Sequence, residues 1–165
     1  MLEFTPLTSR NYHEHEADVM ASEEIFPENI REDSKSYLEA VSRPGSLAFV
    51  SRCHGEYAGN VVGFPPCLEQ QRLLRLGELE TGCANLIYLF NIVAMPQFQG
   101  QGVGKRMLQH FLEAAGSAGF SRVGGHFRGN GSLKNFLCLG GERLASFDDW
   151  FGTGECYEYC ELRLA

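Results

Sequence analysis

The segment from residue 85 to residue 112 constrains this chain more than any other part of the sequence. Residues 86–95, LIYLFNIVAM, form a dense apolar run that is typical of a strand buried on both faces of a sheet. Pro96 ends the run, and the glycine-rich stretch QFQGQGVGKR follows at 97–106. An amphipathic pattern then predicts a helix over 102–118. A strand, a bare loop and a helix start in this order predict an anion-binding site.

The glycine-rich loop supplies the donors that such a site needs. The first backbone N–H groups of a helix have no intrahelical acceptor, and the helix dipole places a partial positive charge beside them. Glycine lets an anion approach the backbone closely, and Lys105 and Arg106 add positive charge. No Ser, Thr, Asp or Asn is placed to cap this helix, so a bound phosphate would serve as its cap.

Three phosphate-binding motifs compete for this stretch. A Walker A loop fails because Gln99 stands where its first glycine belongs and Arg106 where its Ser or Thr belongs. A Rossmann fingerprint starting at residue 100 fails because Lys105 replaces its third glycine. The third motif, Q/R-x-x-G-x-G/A, is matched in full by Gln99, Gly102 and Gly104.

This third motif is typical of the Gcn5-related N-acetyltransferases (GNAT), and the chain resembles that family. Residues 89–112, LFNIVAMPQFQGQGVGKRMLQHFL, are similar to the strand, loop and helix of the ribosomal-protein alanine N-acetyltransferases. The stretch 25–27, IFP, is similar as well, and so is the WFGTGE loop before a final strand. The resemblance covers most of the chain and is specific over 89–112.

The resemblance implies an α+β fold in one domain, residues 1–165, with helices on both faces of a mixed, mostly antiparallel sheet of six or seven strands. Strands 86–95 and 121–127 are expected to splay apart, so that the pantetheine arm of acetyl-coenzyme A pairs with the edge of the first strand. The expected cofactor contacts are Ile92, Val93, Ala94, Gln99, Gly100, Gln101, Gly102, Val103, Gly104, Lys105 and Asn130. Asn130, in the sequence RGNG, fits a plain turn residue equally well.

The groups that would move protons differ from the family pattern. In the alanine N-acetyltransferases a Glu five residues before the Asn acts as the base, and in the family a Tyr seven residues after the Asn is commonly the acid, but Gly125 and Leu137 occupy these positions. His126 is the predicted substitute base, because it lies on the strand that lines the gap and imidazole titrates near neutral pH. Strand alternation points His126 away from the face of Gly125, and a core histidine is the alternative interpretation. Spacing singles out none of the other candidates, which are Cys138, Tyr88, Glu80, Tyr157 and Tyr159.

The remaining pattern predicts the other elements of the domain. Strands are predicted at 2–7, 47–52, 57–64, 122–127, 142–147 and 156–164, and helices at 11–26, 32–41, 68–76 and 133–139. Residues 66–85 are the least regular, and with the first helices they are expected to form the wall of the acceptor site. The six cysteines form no CxxC pair, so no metal site is expected.

The charge balance of the chain is acidic. Its 14 basic and 21 acidic residues give a formal net charge of −7. Such a domain is a poor partner for nucleic acid or an anionic membrane and favours a cationic acceptor. The absence of an 18-residue apolar window and of a basic-then-apolar N-terminal pattern predicts a cytoplasmic protein. Exposed strand edges near the C-terminus are compatible with a homodimer.

The sequence therefore predicts an acetyl-coenzyme A-dependent N-acetyltransferase that acts on a primary amine by direct transfer. A small amine, a protein N-terminus or a lysine side chain fits as acceptor. Because the family's Glu and Tyr are absent, a second hypothesis stays open, a non-catalytic sensor or scaffold that binds acetyl-coenzyme A. A nucleotide-binding module is disfavoured by the failed Walker A match and the lack of an obvious Mg²⁺ carboxylate.

Overall fold

One seven-stranded sheet runs through the computed structural model of the protein, which describes all 165 residues. Its strands are β1 (Leu2–Pro6), β2 (Leu47–Cys53), β3 (Glu56–Phe64), β4 (Leu86–Ala94), β5 (Arg122–Arg128), β6 (Glu142–Phe147) and β7 (Tyr157–Arg163). Across the sheet they follow the order β1-β2-β3-β4-β5-β7-β6, and every neighbouring pair except β4 and β5 is antiparallel. The expected mixed, mostly antiparallel sheet is confirmed.

Helices cover both faces of this sheet. They are α1 (Tyr12–Glu23), α2 (Ser34–Ser42), α3 (Leu68–Leu73), α4 (Val103–Ser117) and α5 (Gly131–Cys138). Successive side chains of a strand point to opposite faces, so Tyr88 of β4 packs in the core below α1 and α2 with Tyr37. Ile87 of β4 packs in the opposite core with Phe111 of α4 and Phe136 of α5.

β4 and β5 separate after a short parallel contact. They pair only where Leu86–Tyr88 faces Arg122–Gly124. Beyond Tyr88, β4 continues along β3 to Ala94, whereas β5 continues along β7 to Arg128. A gap therefore opens between the two central strands, as the sequence predicted.

A β-bulge in β4 lies beside the start of this gap. Val62 of β3 pairs with Asn91 and Gly63 pairs with Leu89, so Phe90 has no partner on β3. A bulge places two consecutive side chains on one face of a sheet. Phe90 accordingly packs edge-on against Tyr37 of α2, with ring centroids 5.6 Å apart, and Asn91 bonds to a side chain of α1 on the same face.

The first two helices are shorter than the apolar pattern predicts. α1 ends at Glu23 instead of residue 26. The guanidinium of Arg31 donates to the carbonyl oxygens of Phe26 and Glu24 at 2.9 and 3.1 Å, which satisfies backbone acceptors beyond the helix end. α2 begins at Ser34 because the Asp33 side chain caps it, accepting the backbone N–H of Ser36 at 2.7 Å. The residues between these helices form a loop that reaches the candidate site.

Candidate active site

The glycine-rich loop forms an uncapped helix start. Gly100 and Gly102 have φ values of +76° and +78°, in the left-handed region that favours glycine. α4 begins at Val103, and no side chain caps it. The side chain of Gln99 donates to the carbonyl of Ala94 at 3.0 Å, which ties the loop to the end of β4.

Six consecutive backbone N–H groups, from Gly100 to Lys105, have no acceptor in the protein. The first helical hydrogen bond of α4 runs from the N–H of Arg106 to the carbonyl of Gly102 at 3.0 Å. A Cβ built on Gly100 or Gly102 would meet no atom within 4 Å, so the space in front of the loop is open. Lys105 and Arg106 are exposed and form no ion pair. These donors suit a group with several negatively charged oxygens.

The free edge of β4 continues from this loop into the gap. Met95 donates to the carbonyl of Ala58 at 2.9 Å, so alternate residues of this antiparallel pair bond to β3. By this register, the backbone groups of Ile92 and Ala94 face the gap. The Val93 carbonyl points at β3, since a Cβ on Gly59 would lie 2.0 Å from its oxygen. The prediction that the Val93 backbone faces the cofactor is therefore corrected.

Asn130 caps α5. Its Oδ1 accepts the backbone N–H groups of Ser132 and Leu133 at 3.1 and 3.4 Å. Its Nδ2 has no partner in the protein, and the residue lines the same cavity as Ile92. Asn130 thus has the turn role that the sequence allowed, with its side-chain NH2 group left for a ligand.

A cavity of about 430 Å³ extends from the gap to the face that carries α1 and α2. Its walls come from β4 and β5, from the loop 24–33 between α1 and α2, from α2 and α3, and from the loop 148–156 between β6 and β7. The residues 66–85 contribute to this wall through Gln70, Leu73 and Leu74. We refer to this cavity as the cleft.

His126 lies in the cleft within an aromatic cage. Its ring stacks on Trp150 with centroids 4.0 Å apart, and Phe147 and Tyr159 lie within about 5 Å of it. Its Nδ1 shares a 2.9 Å hydrogen bond with the hydroxyl of Tyr88. Burial lowers the pKa of His126 from its ordinary value of 6.5 to about 3, and the positive charge of Arg75 adds to the shift. The imidazole is therefore neutral and only weakly basic.

The positions where the family has its acid and its base carry no acidic or basic side chain in this structure. Gly125 faces the opposite side of the sheet from His126, because the register between β5 and β7 is continuous and no bulge interrupts the alternation. A Cβ on Gly125 would contact Leu89 and Phe127 instead of the aromatic cage. Leu137 packs against the core of α4 and α5.

The other candidates for proton transfer lie in different parts of the structure. Tyr88 and Tyr157 line the cleft, whereas Glu80 and Cys138 are exposed and do not line it. The hydroxyl of Tyr159 donates to buried Glu161 at 2.8 Å, which gives that tyrosine a structural role.

We expect His126 to stay neutral throughout the range in which an ordinary histidine titrates. The unfolded chain takes up this proton near its ordinary pKa and the folded chain only near pH 3. The contribution of His126 to the free energy of unfolding is thus complete above the ordinary pKa and is lost as the pH falls, by about 1.4 kcal/mol per pH unit. Nitrogen-15 NMR of the ring should show a neutral tautomer from about pH 8 to about pH 5. In the variant His126→Phe, the free energy of unfolding should fall less steeply as the pH decreases. A His126 ring that titrates near neutral pH in the wild type would contradict the expectation.

Sequence reasoning missed Glu23, which is only 4% exposed and lines the cleft. Its carboxylate accepts hydrogen bonds from the Tyr37 hydroxyl, from Nδ2 of Asn91 at 3.2 Å and from the backbone N–H of Glu32 at 2.7 Å. No basic side chain forms an ion pair with it. Burial is the main cause that raises the pKa of Glu23.

The sequence did carry a signal for this position. Tyr12, Val19 and Glu23 are spaced by seven and four residues, which places them on one face of a helix, and all three are buried in α1. A carboxylate on an otherwise buried helix face is rare without a partner or a function.

No group of three or more His, Cys, Asp or Glu side chains is placed to hold a metal ion. No helix has the length and apolar character that crossing a membrane requires.

Splayed central strands, an uncapped helix start and an adjoining cleft are the arrangement that the sequence resemblance implied for an acetyltransferase fold. The profile of the acetyltransferase (GNAT) family matches residues 10–130, well over half of the chain. The chain belongs to the GNAT acetyltransferase family, which confirms the resemblance seen in the sequence.

Solved structures share this fold at low sequence identity. The ribosomal-protein-S18-alanine N-acetyltransferase from Escherichia coli superposes with a TM-score of 0.73 at 16% identity, covering 100% of this chain and 95% of that chain. NAA60 from Arabidopsis thaliana in complex with acetyl-CoA gives 0.73 at 14% identity, covering 99% and 98%. IAA acetyltransferase from Bacillus cereus gives 0.67 at 15% identity, covering 99% and 100%. No curated protein matches the chain by sequence at a significant level.

Proposed function

We propose that the protein is an acetyl-coenzyme A-dependent N-acetyltransferase that acetylates a primary amine by direct transfer. The observation that carries the proposal is the row of six free N–H groups from Gly100 to Lys105, beside a gap between two sheet strands. Family membership supports the transfer of an acetyl group. The complex of NAA60 with acetyl-CoA supports this cosubstrate for the shared fold.

The chain's own groups suit each part of acetyl-coenzyme A. The free N–H groups of the loop and the charge of Lys105 would hold the pyrophosphate. The outward backbone of Ile92 and Ala94 and the free Nδ2 of Asn130 offer hydrogen bonds to the amides of the pantetheine arm. The thioester would then lie near the bulge at Phe90, where the gap meets the cleft.

Transfer requires a neutral amine and a path for two protons. The amine nitrogen attacks the thioester carbonyl carbon, the C–S bond breaks, and the thiolate leaves. One proton leaves the ammonium before attack, and the second leaves the nitrogen afterwards and ends on the thiolate. Burial raises the pKa of Tyr88 far above its ordinary value, so its hydroxyl keeps its proton and serves as a hydrogen-bond donor in the cleft. His126 positions that hydroxyl.

A sensor or scaffold that binds acetyl-coenzyme A without turnover is the second candidate. Gly125 and Leu137, where the family has its base and acid, are the observation that favours it. Binding would use the same loop and gap, so only a measurement of turnover separates the two functions.

We expect free thiol to be released from acetyl-coenzyme A when small primary amines are present. The product should be about 42 mass units heavier than the amine, because one acetyl group replaces a hydrogen. The rate should depend on amine concentration and exceed the rate without amine. Primary alcohols of the same shape are the control acceptors. Saturable binding of acetyl-coenzyme A without thiol release by any amine or N-terminal peptide would favour the sensor instead.

A further inference from the structure

The two loops that flank the acceptor end of the cleft are joined. Nδ2 of Asn29, in the loop 24–33, donates to the carbonyl oxygen of Gly152, in the loop 148–156, at 2.9 Å. Short 3-10 turns at Glu28–Ile30 and Trp150–Gly152 contact each other at the same place. Because both loops line the cleft, their contact closes it on this side. We expect this contact to hinder a polypeptide acceptor more than a small molecule.

The mouth of the cleft is apolar. Leu73 is 64% exposed and Phe151 is 50% exposed, and both line the cleft next to Phe26, Ile30 and Leu74. Phe151 has a φ of +50°, a left-handed conformation that is unfavourable for a bulky side chain. An aromatic ring held exposed in such a conformation, at the rim of a cavity, is typical of a ligand contact.

The floor of the cleft offers acceptors that lack donors. Oδ1 of Asn91 and Nε2 of His126 are buried and have no hydrogen-bond partner in the protein. The carboxylate of Glu23 accepts from Nδ2 of Asn91 and forms no ion pair with a basic side chain. Nε2 of His126 is an acceptor in the tautomer whose Nδ1–H bonds to Tyr88. A primary ammonium group carries three donors and a positive charge, which suit the carboxylate of Glu23 and the adjacent Oδ1 of Asn91.

We propose that the acceptor is a small primary amine with an apolar body, whose ammonium group binds to the carboxylate of Glu23 and whose body lies between Leu73 and Phe151. This inference rests on the proposed function and names the substrate class of the same site. Glu23 takes the first proton of the ammonium and releases it to water, which leaves the nitrogen lone pair free to attack the thioester. The second nitrogen proton ends on the departing thiolate, so the step is balanced without another reactant.

The charge state of Glu23 depends on groups from several elements. Tyr37 of α2, Tyr12 of α1 and Tyr57 of β3 face it as neutral phenols, because their pKa values are all raised. The loop adds Glu32, which disfavours the Glu23 carboxylate, and Arg31, which favours it. Burial raises the pKa of Glu23 above its ordinary value, so the charged form prevails above that raised value and is lost as the pH falls through it.

The test compares two probes of nearly the same shape, 2-phenylethylamine and 2-phenylethanol, binding to the full chain with coenzyme A bound. At neutral pH, titration calorimetry should show the amine binding about 10-fold or more tightly than the alcohol, since a charge-assisted pair replaces a neutral one. Glu23→Gln should remove this preference. Glu24→Gln, which removes the same charge from an exposed neighbour outside the cleft, should keep it. In the wild type the preference should also disappear as the pH falls through the raised pKa of Glu23, a readout that needs no variant to fold.

Equal affinities for the two probes, a preference that survives in Glu23→Gln, or no binding of either probe overturns the proposal. Tighter binding of a tripeptide than of the small amine also overturns it, because the joined loops should hinder the peptide. The readout is independent of acetyl transfer. A preference for the amine that depends on Glu23, without any thiol release, would reject the transferase and keep the amine site. Thiol release that does not depend on Glu23 would keep the transferase and reject the amine site.

Discussion

Gly102→Asp should abolish acetyl-coenzyme A binding and leave the protein folded. Asp tolerates the left-handed φ of +78° better than most residues and is a preferred helix cap. Its carboxylate would accept the free N–H groups at the start of α4 and interact favourably with the helix dipole. The same negative charge would occupy the predicted pyrophosphate position. Titration calorimetry should therefore show an affinity loss of about 100-fold or more, while the free energy of unfolding changes by about 1 kcal/mol or less.

Two neighbouring substitutions separate charge from shape. Gly102→Asn has nearly the same size and caps the same N–H groups without the charge, so it should weaken binding less than Gly102→Asp. Gly104→Ala should bind acetyl-coenzyme A like the wild type, because Gly104 is helical and its new Cβ would lie an acceptable 3.4 Å from Nδ2 of Asn135. Normal affinity in Gly102→Asp would show that the pyrophosphate binds elsewhere.

The cofactor side of the site was predictable because local signals agree there. The apolar run, Pro96 and the glycines at 100 and 102 mark the strand, its end and the left-handed turns without any tertiary information. The observed bounds of β4 and α4 lie within one residue of the prediction at each end of these elements. The splay of β4 and β5 followed from the family resemblance and is visible in their three-residue pairing.

The acceptor side was not predictable because its features depend on strand register and on contacts between distant loops. The bulge at Phe90 arises from how β4 pairs with β3, and it decides that Asn91 faces Glu23. The same register turns the backbone of Val93 away from the gap, which the spacing of the motif does not reveal. The contact of Asn29 with Gly152 joins segments more than a hundred residues apart. Such pairings leave no local pattern in a single sequence.

A buried ion pair lies at the point where the gap between β4 and β5 begins. It joins Arg122, at the start of β5, to Glu161 of β7. Nη1 of Arg122 lies 2.8 Å from the carboxylate of Glu161, and the two side chains are only 14% and 6% exposed. Nη2 of Arg122 also donates to the carbonyls of Gly82 and Ala84 at 3.2 and 2.9 Å, just before β4. Arg122 therefore links β5, β7 and the entry to β4 at the point where the central strands still pair.

We expect Arg122→Met to lower the free energy of unfolding by about 3–5 kcal/mol, because it leaves the carboxylate of Glu161 buried without a cation. Urea unfolding followed by tryptophan fluorescence measures the change, since Trp150 is buried in the core below α1 and α2. The double variant Arg122→Met/Glu161→Met should recover part of the lost free energy of unfolding, because two apolar side chains leave no buried charge without a partner. Recovery will be incomplete, since the hydroxyls of Thr81 and Tyr159 also donate to Glu161. A loss below about 1 kcal/mol in the single variant would mean that the pair is solvated like a surface ion pair, and that the splay of β4 and β5 is set by the strand pairing alone.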